Sequence, residues 1–180
     1  GNLDTRMGYG ITKSFVQCLQ HAYNDNVDIA YVFEDDARLL SNDFCDVDKR
    51  NRIWAQAPKD SYVMLLGGHK WTAKASGDPS YRHITYSYGA YAFSLRRSEM
   101  PDLIEGWTQE LRSGKSRLSP DVTWFGLAEK QEQKLYAVQP LMIKHPVGWS
   151  NTWKTNRSGF DEPYIPIGQS SLRVDFVEPV

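Results

Sequence analysis

The amino-acid sequence predicts an α/β fold, a β-sheet flanked by helices, and three observations support this class. Residues 11–24 place apolar side chains at three- and four-residue steps, which indicates an amphipathic helix. An apolar run over residues 29–33 follows and is typical of a short buried strand, as is a second run over residues 62–66. A helix that leads into a buried strand favours parallel pairing in an α/β sheet. The 180 residues suffice for one domain with its own core.

Three segments around the second strand carry weaker patterns. Residues 44–57 suit a short helix or a loop. Residues 69–80 predict an exposed, mobile loop with a turn at Gly77-Asp78-Pro79. Residues 88–95 alternate small and large side chains, which indicates a third strand.

Capping signals predict two further helices. Ser98 is a candidate cap for a helix over residues 100–112, because its hydroxyl can accept from the first backbone N–H groups. Ser119 is the candidate cap of a second helix, with Pro120 at its first helical position. A short strand over residues 135–138 and an irregular, Pro-, Gly- and Trp-rich tail from Pro140 onward complete the chain.

Composition limits the classes of partner. The net charge of −1 gives no electrostatic footprint for nucleic acid or for an anionic membrane, so an anionic ligand needs a metal ion or a few placed donors. No apolar run is long enough to be a transmembrane segment. Cys18 and Cys45 lack metal-ligand spacing, and one disulfide between them stays open. Aromatic residues make up 13% of the chain, which suits an ordinary aromatic core or a site where flat rings stack on sugars.

Three carboxylates, those of Glu34, Asp35 and Asp36, follow the first predicted strand directly. The carboxyl end of a buried strand is where open α/β sheets bind their ligands. Adjacent carboxylates repel one another, and a divalent ion such as Mn²⁺ or Mg²⁺, which prefers oxygen ligands, relieves that repulsion. A charged loop or helix N-terminus without a metal explains the same three residues, and the local pattern leaves both interpretations open.

Two single residues have the chemistry to complete such a site. Asp121 lies in the first turn of a predicted helix, where it either complements the helix dipole or acts as a general base toward an acceptor hydroxyl. His145 follows the last predicted strand and precedes a Gly- and Trp-rich loop, so its imidazole is a candidate metal ligand. His69, in the predicted mobile loop, is its competitor. Ser150, in the same loop as His145, is a candidate donor- or acceptor-binding residue.

Glycine and tyrosine residues mark further candidate contacts with a donor or an acceptor. Gly67 and Gly68 end the second predicted strand and let a backbone approach a ligand closely. Tyr88 and Tyr91 lie where small residues separate aromatic rings, which leaves room for a sugar and offers hydroxyl groups to it. A tyrosine-rich edge strand without a ligand is the alternative explanation of this segment.

The order of these motifs resembles that of glycosyltransferase family 25, the group of lipooligosaccharide and procollagen galactosyltransferases. The likeness covers residues 8–155, and the family's Ser-His pair in the first helix is replaced here by Ser14-Phe15. The chain is then one glycosyltransferase domain, with an irregular C-terminal tail over residues 156–180. The five motifs that carry the resemblance are Phe33-Glu34-Asp35-Asp36, Met64-Leu65-Leu66-Gly67, Gly89-Ala90-Tyr91-Ala92-Phe93-Ser94-Leu95, Pro120-Asp121 and Val138-Gln139-Pro140-Leu141.

The resemblance implies a GT-A-like, Rossmann-like fold with a mixed sheet, and a metal-dependent enzyme. Such an enzyme moves a sugar, with inversion, from a nucleotide-diphosphate sugar donor to a hydroxyl of a glycan or glycoprotein acceptor. The resemblance assigns the metal, Mn²⁺ or else Mg²⁺, to Asp36, Glu34 and His145. It assigns Asp35 to the donor and the role of catalytic base to Asp121.

GT-A-type folds begin with strands that bind the nucleotide, and the sequence before Ile11 does not supply them. We therefore expect a longer natural protein and a chain that lacks its N-terminal nucleotide-binding strands. Two other functions suit the same residues. One is a metal-dependent hydrolase of a phosphate ester or anhydride, and the other is a non-catalytic carbohydrate-binding domain.

Overall fold

The computed structural model describes residues 5–40, 42–68, 70–88, 91–113, 120–144, 149–150 and 155–156. No helix within these ranges is both long and apolar enough to cross a membrane. The helices are α1 (Thr5–Asn24), α2 (Val47–Ala55), α3 (Met100–Ser113) and α4 (Pro120–Lys130), with 3₁₀ turns at Asn42–Cys45 and Arg97–Glu99. The strands are β1 (Ile29–Phe33), β2 (Arg38–Leu39), β3 (Ser61–Gly67), β4 (Lys70–Ala75), β5 (Tyr81–Tyr88), β6 (Ala92–Arg96), β7 (Lys134–Val138), β8 (Ile143–Lys144), β9 (Trp149–Ser150) and β10 (Thr155–Asn156).

Six of these strands form one mixed sheet in the order β1-β6-β3-β7-β5-β4. β3 and β7 are parallel, with Met64 opposite Tyr136, and the other neighbours in the sheet are antiparallel. The predicted α/β class is confirmed at this level, as a mixed sheet flanked by helices. The expected parallel pairing of β1 is wrong, because β1 lies at the edge of the sheet and runs antiparallel to β6, with Ile29 opposite Arg96.

Three helices cover one face of the sheet, which we call the helix face. α3 packs between α1 and α4, and all three contribute to one core with the strands. The ring centroid of Phe93 lies 5.4 Å from that of Phe15 and 5.3 Å from that of Trp124, so aromatic side chains join sheet and helices. The apolar stripe predicted for residues 11–24 is confirmed as the buried side of α1. Residues buried in this core include Phe15, Val16, Leu19, Leu103, Trp107 and Trp124.

The opposite face, which we call the α2 face, is covered by α2, the 3₁₀ turn at Asn42–Cys45 and β8. Trp54 of α2 is buried there, and its indole Nε1 donates to the Ser94 hydroxyl at 2.9 Å. The Tyr81 hydroxyl donates to the backbone oxygen of Ile53 at 2.9 Å. Hydrogen bonds from aromatic side chains therefore fasten α2 to the sheet.

Local sequence explains where the helices begin. The Asp46 carboxylate caps α2 by accepting from the backbone N–H of Asp48 at 2.9 Å. Pro120 is the first residue of α4, as predicted, while its expected cap Ser119 lies outside the described residues. The expected capping role of Ser98 is wrong, because Ser98 lies inside a 3₁₀ turn and its hydroxyl donates to the Glu99 carboxylate at 3.0 Å.

The hairpin of β4 and β5 corrects two predictions. The expected mobile loop over residues 69–80 contains strand β4, although the turn at its end is confirmed, with Gly77 at a φ of 89°. Lys70, Thr72 and Lys74 alternate with less polar residues, a period of two that the turn residues obscured. The single strand expected over residues 88–95 is two strands, since β5 ends at Tyr88 and β6 begins at Ala92.

Candidate functional site

The acidic triplet follows β1 directly and is fastened to the strand beside it. The backbone N–H of Glu34 donates to the backbone oxygen of Tyr91 at 2.9 Å, and the N–H of Ala37 donates to the Glu34 carbonyl at 3.2 Å. Asp35 is exposed, whereas Glu34 and Asp36 are half-buried and the Oδ1 atom of Asp36 is shielded from solvent. The triplet is therefore a tight turn with one carboxylate directed outward and two partly enclosed.

The strand before the triplet is less buried than predicted. β1 is an edge strand whose side chains alternate between buried and partly exposed, and Phe33 is 39% exposed. The Phe33 ring packs edge-on against Phe44, with centroids 5.4 Å apart. An exposed aromatic ring next to three carboxylates is a feature that the sequence analysis missed. Its signal was the position of Phe33 as the last strand residue before the charged turn.

The acidic triplet lies at one end of the strands, at the edge of the sheet formed by the carboxyl ends of β1 and β3. Phe33 of β1 and Gly67 of β3 both lie opposite Ala92 of β6, so β1 and β3 end at the same level on either side of β6. A side-chain carbon on Gly67 would lie 2.4 Å from the Ile143 backbone oxygen and 2.5 Å from the Tyr91 ring. The close approach that this glycine permits is therefore one between parts of the protein, and a ligand contact at Gly67 stays a prediction.

Tyr91 connects the triplet to the two glycines. Its backbone oxygen accepts from Glu34, while its side-chain hydroxyl donates to the Gly68 backbone oxygen at 3.2 Å. The side chain is 3% exposed, so its phenol is a structural bridge under the edge rather than an open platform. Glu34, Gly67, Gly68 and Tyr91 are thus brought together, as the sequence analysis expected.

The segment before His145 runs alongside the triplet. Arg38, two residues after Asp36, pairs with Lys144 in the β2–β8 ladder. The N–H of Met142 donates to the Leu66 backbone oxygen at 3.1 Å, which holds β8 between the triplet and the end of β3. Lys144 immediately precedes His145, which itself lies outside the described residues.

Two other candidate ligand-binding residues are described by their backbone alone. Tyr88 ends β5 opposite Lys70, and it lies three residues before Tyr91, so the two Cα atoms are within about 11 Å of each other. A bulge at Thr85 interrupts the β4–β5 register, and bulges bend strands, which brings this end of the hairpin back toward the triplet. Ser150 lies in β9, opposite Thr155.

Asp121 reaches the same edge of the sheet from the helix layer. α4 packs on β7 and leads into it through three residues, so the helix runs antiparallel to β7. Both elements are about 16 Å long, which places the first turn of α4 level with the end of β7. Trp124, one turn after Asp121, packs on Phe93 near the start of β6. Asp121 is 3% exposed, at the positive end of the helix dipole.

A metal site built from protein side chains alone needs several ligands that converge on one point. The described residues contain no group of three His, Cys, Asp or Glu side chains that converges to hold a metal ion. Mg²⁺ and Mn²⁺ are also bound by one or two carboxylates together with phosphate oxygens of a substrate. The half-buried carboxylates of Glu34 and Asp36 suit this second kind of site.

Comparison with known proteins adds no second source of evidence for a family. Neither a protein-family model nor a curated protein sequence matches this chain. The likeness to glycosyltransferase family 25 therefore rests on the five sequence motifs alone.

Proposed function

We propose that the protein is a metal-dependent glycosyltransferase with a GT-A-like fold, similar to the enzymes of glycosyltransferase family 25. The observation that carries this proposal is the hydrogen bond from Glu34 to Tyr91, which fixes the acidic triplet at the edge where β1 and β3 end. Ligands of open α/β sheets bind at such an edge. The substrates are a nucleotide-diphosphate sugar and a hydroxyl group of a glycan or glycoprotein.

The triplet supplies the donor side of the reaction. Asp36 and Glu34, with His145, would hold Mn²⁺ or Mg²⁺ beside the donor diphosphate. The ion would supply Lewis-acid stabilisation of the negative charge that develops on the departing diphosphate. Asp35 contacts the ribose or the donor sugar, and its exposure to solvent supports this role. The partial burial of Glu34 and Asp36 supports this assignment, because water competes less well for enclosed carboxylates.

The acceptor side is formed by the first turn of α4. Asp121 takes the proton from the acceptor hydroxyl, whose oxygen then attacks the anomeric carbon on the face opposite the diphosphate. The sugar–phosphate bond breaks, its electron pair leaves with the diphosphate, and configuration is inverted. The position of Asp121 in the first turn of α4, shielded from solvent, supports the role of base. The exposed ring of Phe33 offers a flat surface for a sugar.

The proposal is tested by transfer assays on the full-length protein. A set of nucleotide-diphosphate sugars is incubated with Mn²⁺, with and without acceptor sugars, and the release of nucleoside diphosphate is measured. Asp121→Asn is expected to lower transfer by a factor of about 10² to 10⁴, the usual contribution of a general base. Asp36→Asn is expected to abolish the transfer that depends on Mn²⁺. Asp25→Asn, an exposed carboxylate in the turn after α1, is the control.

The other two functions give different results in the same assay. A hydrolase releases nucleoside diphosphate equally well without an acceptor. A carbohydrate-binding domain without catalysis shows no metal-dependent binding of a nucleoside diphosphate in a calorimetric titration. Near-normal transfer by Asp121→Asn rules out its role as base even if the transferase activity itself is present.

A further inference from the structure

A second surface feature lies at the other end of β1 from the acidic triplet. A groove of about 530 Å³ opens between the start of β1, the end of β6 and α2. Ile29 of β1 pairs with Arg96 in this groove, whereas the triplet follows Phe33, so about 13 Å of strand separates the two regions. Residues that line the groove include Asp28, Ile29, Asn51, Trp54, Arg96 and Arg97.

Arg96 is held in this groove by an aromatic stack. Its guanidinium carbon lies 4.6 Å from the centroid of the Trp54 ring, a favourable cation–π distance. The indole is itself fixed, because it is buried and its Nε1 donates to the Ser94 hydroxyl at 2.9 Å. A guanidinium that is already ordered loses less side-chain entropy when it binds a ligand.

Among the described residues, Arg96 forms no ion pair with a carboxylate. In the part of the protein that the structure describes, no carboxylate lies within 4.0 Å of its guanidinium, although Asp28 lines the same groove. Arg97 adds a second positive charge, but its Nη2 already donates to the Tyr23 backbone oxygen at 3.1 Å and to the Asn26 side chain at 2.9 Å. The groove therefore has two cations against one carboxylate, and Arg96 has donors to offer.

We propose that this groove binds a ligand through an oxyanion, either a carboxylate or a phosphate monoester. Arg96 donates two parallel N–H bonds to it, the geometry in which a guanidinium binds such groups most strongly. Asn51, exposed on α2, adds an amide donor from the side of the helix, and Ile29 gives an apolar contact for the rest of the ligand. The site is separate from the triplet and does not depend on the proposed transferase activity.

The test is a nuclear magnetic resonance titration of the whole chain, followed at the indole N–H of Trp54 and the Nε–H of Arg96. Acetate and inorganic phosphate are the two probes, and sodium chloride at matched ionic strength is the control for screening. We expect saturable shifts of both signals with at least one probe and none with chloride. A response to acetate alone or phosphate alone supports the proposal and identifies the ligand class.

Three variants separate recognition by Arg96 from general charge. Arg96→Gln is expected to weaken binding about tenfold, because one charge-assisted hydrogen-bonded contact is lost. Arg96→Lys keeps the charge without the planar fork and is expected to weaken binding by a smaller factor. Arg52→Gln removes the same charge from α2, outside the groove lining. It is the control and is expected to leave the affinity unchanged within about twofold.

Two results overturn the proposal. One is the absence of saturable shifts with both probes. The other is equal binding by the protein and by Arg96→Gln, with the remaining indole signals showing that the variant is folded. Equal binding by Arg96→Lys contradicts the bidentate geometry specifically.

Discussion

The two faces of the six-stranded sheet are built by different means. The helix face is covered by α1, α3 and α4, and its core is made of interlocking aromatic rings such as those of Phe93 and Trp107. Two polar atoms buried on this face, the Tyr62 hydroxyl and the Trp124 indole N–H, have no hydrogen-bond partner among the described residues. Apolar contact thus carries the stability of the helix face.

The α2 face relies on directed hydrogen bonds instead. The side chains of Trp54, Tyr81 and Tyr91 each donate to a named acceptor, and Tyr136 donates to Asp60 at 2.9 Å. The bonds of Trp54 and Tyr81 fasten α2 to the sheet, and the Tyr91 bond lies beside the acidic triplet. The Tyr136 bond lies at the start of β3. We infer that bulk stability depends mainly on the helix face and that positioning of the candidate site depends on the α2 face. Mutations on the two faces should therefore have separable effects.

The largest expected effect is on the helix face, at Trp107. This side chain is fully buried, and its indole Nε1 donates to the Pro120 backbone oxygen at 3.1 Å. Trp107→Ala is expected to lower the free energy of unfolding by about 4 kcal/mol, through lost burial and a residual cavity. Urea denaturation followed by circular dichroism measures it. Tyr9→Ala, on an exposed part of α1, is the control and should change stability by about 0.5 kcal/mol or less.

The next effect is at the edge of the sheet, at Gly67. Gly67→Ala places a carbon against the Ile143 backbone and the Tyr91 ring, and is expected to cost about 2 kcal/mol by overpacking. Gly126→Ala on α4 meets no atom within 4 Å and should instead stabilise the protein by about 1 kcal/mol, because alanine favours helix. Thermal unfolding of the two variants gives the comparison. Equal shifts in the same direction would show that the packing at Gly67 is looser than described.

The outcome at Gly67 bears on what the sequence could reveal. The helix α1 and the strands β1, β3 and β7 were predicted from local runs of residues, and the helices α3 and α4 from candidate capping residues, which are local signals too. The partners of Gly67 are distant in sequence, and no local pattern specifies them. The sequence therefore indicated that a close approach occurs at this glycine but not that Tyr91 and Ile143 make it.

Strand order was beyond the sequence for the same reason. The apolar run of β1 suits a central parallel strand as well as an edge strand, and only long-range pairing with β6 decides between them. The positions of the triplet and of Asp121 could be predicted, since each follows a recognisable local boundary, the end of a strand and the start of a helix. How these boundaries meet at one edge depends on the topology.

A matched pair of tyrosine variants sharpens the contrast between the faces. Tyr62→Phe removes a buried hydroxyl that lacks a partner among the described residues, so it should leave the protein as stable or up to about 1 kcal/mol more stable. Tyr81→Phe removes the hydrogen bond to Ile53 and should lower stability by about 1 kcal/mol. The same atom is deleted in both, so the sign of the change in urea midpoint is the readout. Equal destabilisation would contradict the distinction between the two faces.

The smallest expected effects concern one carboxylate beside each face. Burial raises the pKa of Glu110, which lies between α3 and α4, and the hydrogen bond from Thr123 opposes part of that shift. Burial alone would raise the pKa of Asp60, but hydrogen bonds from Lys134 and Tyr136 outweigh it and lower the pKa. The two carboxylates therefore respond to pH in opposite directions.

The sign of each response follows from linkage between protonation and folding. Stability from Glu110 is fully present below its ordinary value of 4.5 and is lost as pH rises through its raised folded pKa. Stability from Asp60 is present above its ordinary value of 3.8 and is lost as pH falls through its lowered folded pKa. Glu110→Gln should therefore gain stability relative to the protein as pH rises from about 4 to 7, because glutamine stays neutral while the buried glutamate becomes charged. Asp60→Asn should be the less stable chain at pH 7 and should approach the protein only below the ordinary value of 3.8. Urea midpoints from about pH 2 to 7 therefore test whether the two responses have opposite signs.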